Sequence, residues 1–71
     1  VFELKLYTGG RRAFNSSWIK EAIIVSPGGG SPDYVVIYVG DFDDPSLLTP
    51  IDLAYENYAQ MSEDIKSNTI F

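Results

Sequence analysis

The sequence predicts an α+β fold: a small, three-stranded, mainly antiparallel sheet with one amphipathic C-terminal helix packed on one face. Three observations carry this expectation. Residues 1–8 alternate apolar and polar side chains, residues 34–39 form an unbroken apolar run, and residues 50–66 repeat apolar side chains at helical spacing. The chain has 71 residues, enough for one small domain, taken as residues 1–71.

Within residues 1–8, Phe2, Leu4 and Leu6 alternate with Glu3, Lys5 and Tyr7, as in a strand with one buried face. Gly9 and Gly10 end it, and Arg11 and Arg12 follow as solvated charges in a polar turn. Residues 14–25 admit two solutions. As a helix they would be capped by Asn15 or Ser16 and would present Phe14, Trp18, Ile19, Ala22 and Ile23 as a stripe. The β-branched run Ile23, Ile24, Val25, ending at a Pro- and Gly-rich stretch, instead favours a strand over residues 20–26. A short helix near residues 15–21, or a single turn at 15–18, is compatible with that strand. A longer helix would make the unit β-α-β, with the first and third segments parallel.

Residues 33–40 read as the strongest strand. Tyr34, Val36 and Tyr38 lie on one face, and Val35, Ile37 and Val39 on the other. This pattern suits a central strand covered on both faces, or one that leaves a Tyr-rich surface for a partner. After an acidic loop, Thr49 suits a helix N-cap, Pro50 the first helical position and Asp52 the positive helix end. Ile51, Ala54, Tyr55, Tyr58, Met61 and Ile65 then recur with helical period, predicting a helix over residues 50–66. The expected core comprises Phe2, Leu4, Leu6, Ile23, Val25, Val35, Ile37, Val39, Ile51, Ala54, Tyr58, Met61 and Ile65.

Composition narrows the chemistry. The chain has no His and no Cys, which removes imidazole bases, thiolate nucleophiles, disulfides and zinc sites with nitrogen or sulfur ligands. Ser, Thr and Tyr hydroxyls lack a recognisable activating base, since Lys20 and Lys66 sit in no catalytic pattern. The Gly28, Gly29, Gly30 run leads through Ser31 and Pro32 into a strand without a nearby Lys, unlike a phosphate-binding loop. A non-enzymatic role without a cofactor is therefore expected.

The carboxylates are unevenly placed. Residues 1–30 hold four basic and two acidic side chains, a net of +2, whereas residues 31–71 hold one basic and eight acidic, a net of −7. On a helix over residues 50–66, Asp52, Glu56 and Glu63 fall within about 40° of one another at about 100° per residue. With Asp64 and the loop residues Asp41, Asp43 and Asp44, they would form an acidic ridge, and Tyr55 would add rigid contact area. Such a ridge suits a basic protein groove. The chain net charge of −5 argues against direct nucleic-acid binding.

The resulting expectation is a small acidic inhibitor that mimics nucleic acid and occupies the basic channel of a DNA- or RNA-handling protein. In size and charge the chain is similar to phage-encoded inhibitors of CRISPR effectors, restriction enzymes and repair glycosylases, a likeness of class without a shared motif. The partner reading is accordingly a basic protein surface and no membrane, with the chain as a monomer or weak homodimer. The expected location is cytoplasmic, in the host cell if phage-encoded. A structural or assembly subunit pairing through an edge strand is a further alternative.

An enzyme alternative comes from the string VVIYVGDFDDP, residues 35–45, which resembles the acidic strand end of Toprim domains in topoisomerases and related nucleases. The resemblance places Asp41 and Asp43 at the two aspartate positions and implies a divalent-metal-binding fragment of such an enzyme. The family's upstream strand-end glutamate is missing, because the first strand here ends in Tyr7, Thr8, Gly9 and Gly10.

Overall fold

Two glycines set the first strand pairing. In a computed structural model that describes residues 1–40 and 48–68, Gly9 and Gly10 have φ of 104° and 78°, a backbone region that costs other residues steric energy. The Leu6 N–H donates to the Gly10 carbonyl at 3.0 Å and the Gly9 N–H to the Leu6 carbonyl at 3.0 Å, closing a tight turn. It joins β1 (Phe2–Lys5) to β2 (Arg11–Phe14) as an antiparallel hairpin, with Phe2 opposite Phe14. Arg11 and Arg12 are thus strand residues and not turn charges. Arg12 lies over the Phe14 ring, 5.5 Å from its centroid.

The ambiguous segment resolves into a turn followed by a strand. The Asn15 carboxamide oxygen accepts from the Ser17 N–H at 3.1 Å and holds one 3-10 turn, Ser16–Trp18. The short helix expected near residues 15–21 is confined to it, because β3 (Ile19–Val25) begins at the next residue. β4 (Tyr34–Gly40) lies between β3 and β5 (Leu48–Asp52) in a three-stranded antiparallel sheet. With α1 (Tyr58–Ser67), this gives the α+β architecture of a three-stranded sheet and a C-terminal helix. The strand membership differs from expectation: residues 1–8 supply one strand of the separate hairpin, and β5 is the third strand of the sheet.

The helix is shorter than the sequence periodicity indicates. Thr49 and Pro50 lie in β5, with Pro50 opposite Tyr38, so they neither cap nor open a helix. Proline is tolerated in such an edge position because it need not donate to the ladder. Asn57 is the actual N-cap, its side chain accepting from the Gln60 N–H at 3.0 Å.

Among the described residues, the two sheets are joined through Leu6 and Leu53. Leu6 and Leu53 form an isolated antiparallel bridge, flanked by the Tyr7 N–H donating to the Asp52 carbonyl at 3.0 Å and the Ala54 N–H to the Lys5 carbonyl at 3.0 Å. Across the segment on its other side, the Leu53 N–H donates to the Val35 carbonyl at 2.8 Å and the Val35 N–H to the Tyr55 carbonyl at 2.9 Å. Residues 52–55 therefore sit between β1 and β4, satisfying backbone groups of both.

That junction centres the core. Phe2, Leu4, Phe14, Val35, Ile37, Leu53 and Tyr55 are buried together, with Leu6, Ile19, Ala22, Val39, Ile51, Met61 and Ile65 packed around them. Phe14, Leu53 and Tyr55 were absent from the expected core. Tyr58, expected inside, is exposed, and its hydroxyl donates to the Ala22 carbonyl at 3.1 Å. Ala54 is exposed as well, while Ile23 and Val25 are half-buried outside the core cluster.

Candidate protein-binding surface

The sheet register divides β4 into two faces. Val35, Ile37 and Val39 point toward the core with Ala22 and Ile51, whereas Tyr34, Val36 and Tyr38 share the opposite face with Ile23, Val25 and Asp52. Val36 is buried yet lies outside the core cluster, and Tyr34 and Tyr38 stay half-buried. β4 is therefore the central strand, and its outer face carries tyrosines.

The carboxylates do not form a helical ridge. Asp52 is exposed at the end of β5, Glu56 is exposed before the helix, and only Glu63 and Asp64 lie on α1. The Glu56 N–H is held by the Gln60 side chain at 2.9 Å, which fixes its backbone without engaging its carboxylate. Asp41, Asp43 and Asp44, and with them the metal-binding alternative, lie outside the described residues. Among the described residues, no three carboxylates gather closely enough to hold a metal ion.

Asp64 and Tyr55 belong to an internal network. The Tyr55 hydroxyl accepts from the Lys5 N–H at 2.9 Å and donates to Asp64 Oδ2. Arg11 Nη1 donates to the same oxygen at 3.1 Å, and Asn68 Nδ2 to Asp64 Oδ1 at 2.7 Å. The Tyr55 hydrogen bond and then the Arg11 guanidinium hold the Asp64 carboxyl below the usual carboxylate range. Burial first, and the bond to Asp64 second, raise the Tyr55 phenol above its ordinary value. Asp64 likewise raises Arg11. This network ties β1, β2 and α1 together and makes Tyr55 a core residue, 5% exposed. An open depression of about 360 Å³ beside it is lined by Lys5, Tyr55, Gln60, Glu63 and Asp64.

A second groove, of about 210 Å³, brings together residues far apart in sequence: Tyr7 from the β1–β2 turn, Pro32, Asp33 and Tyr34 at the start of β4, and Ala54, Tyr55 and Glu56 before α1. The Tyr7 and Tyr34 rings lie 4.7 Å apart between centroids and are tilted by 45°. Among the described residues, neither the Asp33 nor the Glu56 carboxylate has a hydrogen-bond or ion-pair partner. The sequence reading marked Tyr34 as part of a Tyr-rich face and Glu56 as an acidic contact. Tyr7 and Asp33 carried no such signal, because their proximity arises from the Leu6–Leu53 junction.

Family models, curated proteins and solved structures were compared with the chain, and none matches it. Among the described residues, no helix is long and apolar enough to cross a membrane. The fold and surface define a small acidic α+β protein.

Proposed function

We propose that the chain is a small non-catalytic binding protein that docks on a basic protein surface, in the manner of an inhibitor that mimics nucleic acid. The observation that carries this reading is the exposed, unneutralised charge. The carboxylates of Asp33, Asp52, Glu56 and Glu63 have no cation partner among the described residues, where Arg11–Asp64 is the one ion pair. Like charges left unpaired repel one another and add nothing to the fold, whereas an opposing basic surface makes them attractive and speeds encounter.

The charge is distributed over β5, the segment before α1 and α1 itself. Charge dispersed in this way competes for a basic channel by its total and needs no phosphate-like spacing.

Capture of partners from source-cell extract at low and high salt, with double-stranded DNA as competitor, tests the reading. The expected result is a nucleic-acid-handling protein that high salt releases and DNA displaces, with affinity falling about tenfold, or about 1.4 kcal/mol, in the Asp52→Lys, Glu63→Lys chain. Circular dichroism checks that the variant remains folded. Unchanged affinity after both reversals overturns the reading.

A further inference from the structure

We infer that the groove lined by Tyr7 and Tyr34, together with Asp33 and Glu56, receives an arginine side chain of the protein partner against the Tyr pair. This inference rests on the acidic-docking reading and assigns that contact a location.

The groove is chemically matched to a flat cation. Tyrosine rings present a negative face, so the tilted Tyr7–Tyr34 pair attracts a cation seated against it. Tyr7 is half exposed, which leaves its ring open to such a group. Asp33 and Glu56 line the same groove and supply the opposite charge, while none of the chain's own lysines or arginines lines it. Among those, Arg11 is bound to Asp64, Arg12 lies over Phe14, and Lys20 donates to the Ser17 carbonyl.

Guanidinium fits this combination better than ammonium. It is planar and weakly hydrated, stacks on an aromatic face, and forks toward a carboxylate with parallel N–H donors. An ammonium group is compact and strongly hydrated, so it loses more water on entering the groove. The walls are already set by backbone hydrogen bonds. The Tyr7 N–H donates to Asp52, Leu53 to Val35 and Val35 to Tyr55, at 3.0, 2.8 and 2.9 Å. Binding therefore orders the arriving side chain more than it orders the protein.

The test uses the full chain, uniformly labelled with nitrogen-15, titrated with a capped glycine-spaced arginine peptide and its lysine twin. Amide shifts should centre on residues 7, 33, 34 and 56, with the lysine twin at least about threefold weaker. Tyr7→Ala and the paired Asp33→Asn, Glu56→Gln variant should each weaken the arginine peptide about five- to tenfold, while Glu63→Gln changes it less than about twofold. Shifts spread evenly over all exposed carboxylates, equal binding of the lysine twin, or full affinity in both groove variants would overturn the assignment.

The two readings fail separately. If the Tyr7→Ala chain still captures a salt-sensitive basic partner at full affinity, the groove assignment falls and acidic docking stands. If the arginine peptide seats in the groove but reversing Asp52 and Glu63 leaves partner capture unchanged, the groove site survives and the broader acidic-patch reading fails.

Discussion

Tyr55 and Tyr58 exchange the roles their spacing suggests. Both occupy the apolar stripe of a hypothetical helix over residues 50–66, yet Tyr55 is 5% exposed and Tyr58 is 42% exposed. The difference is set by what each hydroxyl reaches: Tyr55 finds the Lys5 N–H and the Asp64 carboxylate, and Tyr58 finds the Ala22 carbonyl at the sheet edge. Removing the Tyr55 hydroxyl leaves a part-buried backbone donor without its acceptor, so Tyr55→Phe should cost about 1–3 kcal/mol in urea unfolding, with the denaturant slope unchanged. The same network creates an acid dependence. Because the Asp64 carboxyl titrates lower when folded, its contribution is present above the unfolded value of about 3.9 and is lost as pH falls through the folded value. Asp64→Asn should flatten the acid limb of the stability profile below about pH 4. An identical acid limb in that variant would place the dependence elsewhere. At high pH the raised Tyr55 phenol has the opposite sign: its contribution is present below about pH 10 and lost above.

At the scale of elements, the end of the first strand at Gly9 and Gly10, the strand nature of residues 34–40 and the cap chemistry of Asn15 were legible, because each rests on local backbone preference, whereas the return strand Arg11–Phe14 was not. The helix start was not. Thr49, Pro50 and Asp52 carry the side chains of a helix N-terminus, and the apolar positions from Ile51 onward satisfy a helical period. Ile51, Leu53 and Tyr55 also satisfy a period of two, and that pattern prevails because the open edge of β4 supplies the backbone partners. Competition between local signals was thus settled by hydrogen bonds to a distant strand. Asn57 then caps α1, with Gln60 reaching back to the Glu56 N–H. Asn57→Ala should destabilise the chain by about 1 kcal/mol and increase amide exchange at residues 58–60 ahead of the rest of α1. Unchanged exchange there would show that packing by Met61 and Ile65 alone holds the first turn.

For the whole molecule, the excess of negative charge was legible from the sequence, but its geometry depended on where the elements ended. Starting the helix only at Tyr58 removes Asp52 and Glu56 from the helical face, and the network at Asp64 withdraws a third carboxylate from the surface. What remains is a set of exposed carboxylates and an aromatic groove whose Tyr7 and Glu56 lie 49 residues apart in a chain of 71. Tyr7 and Glu56 come together through contacts that no short stretch encodes.

The Leu6–Leu53 bridge also shapes how the chain reaches this structure. Its neighbours repeat the same long span: Lys5 is bonded to Tyr55, and Arg11 to Asp64. Closing so long a loop costs entropy before any of these contacts is rewarded, and a high mean separation between contacting residues slows folding. The β3–β4 pairing, joined by a local connection, should form first, and the ends of the chain should lock together late. In stopped-flow refolding, Leu53→Ala should accordingly accelerate unfolding far more than it slows folding. Equal effects on both rates would put the bridge in the folding nucleus. On this pathway the aromatic groove is among the last features completed, so the surface assigned to the partner arises only when the two ends of the chain have met.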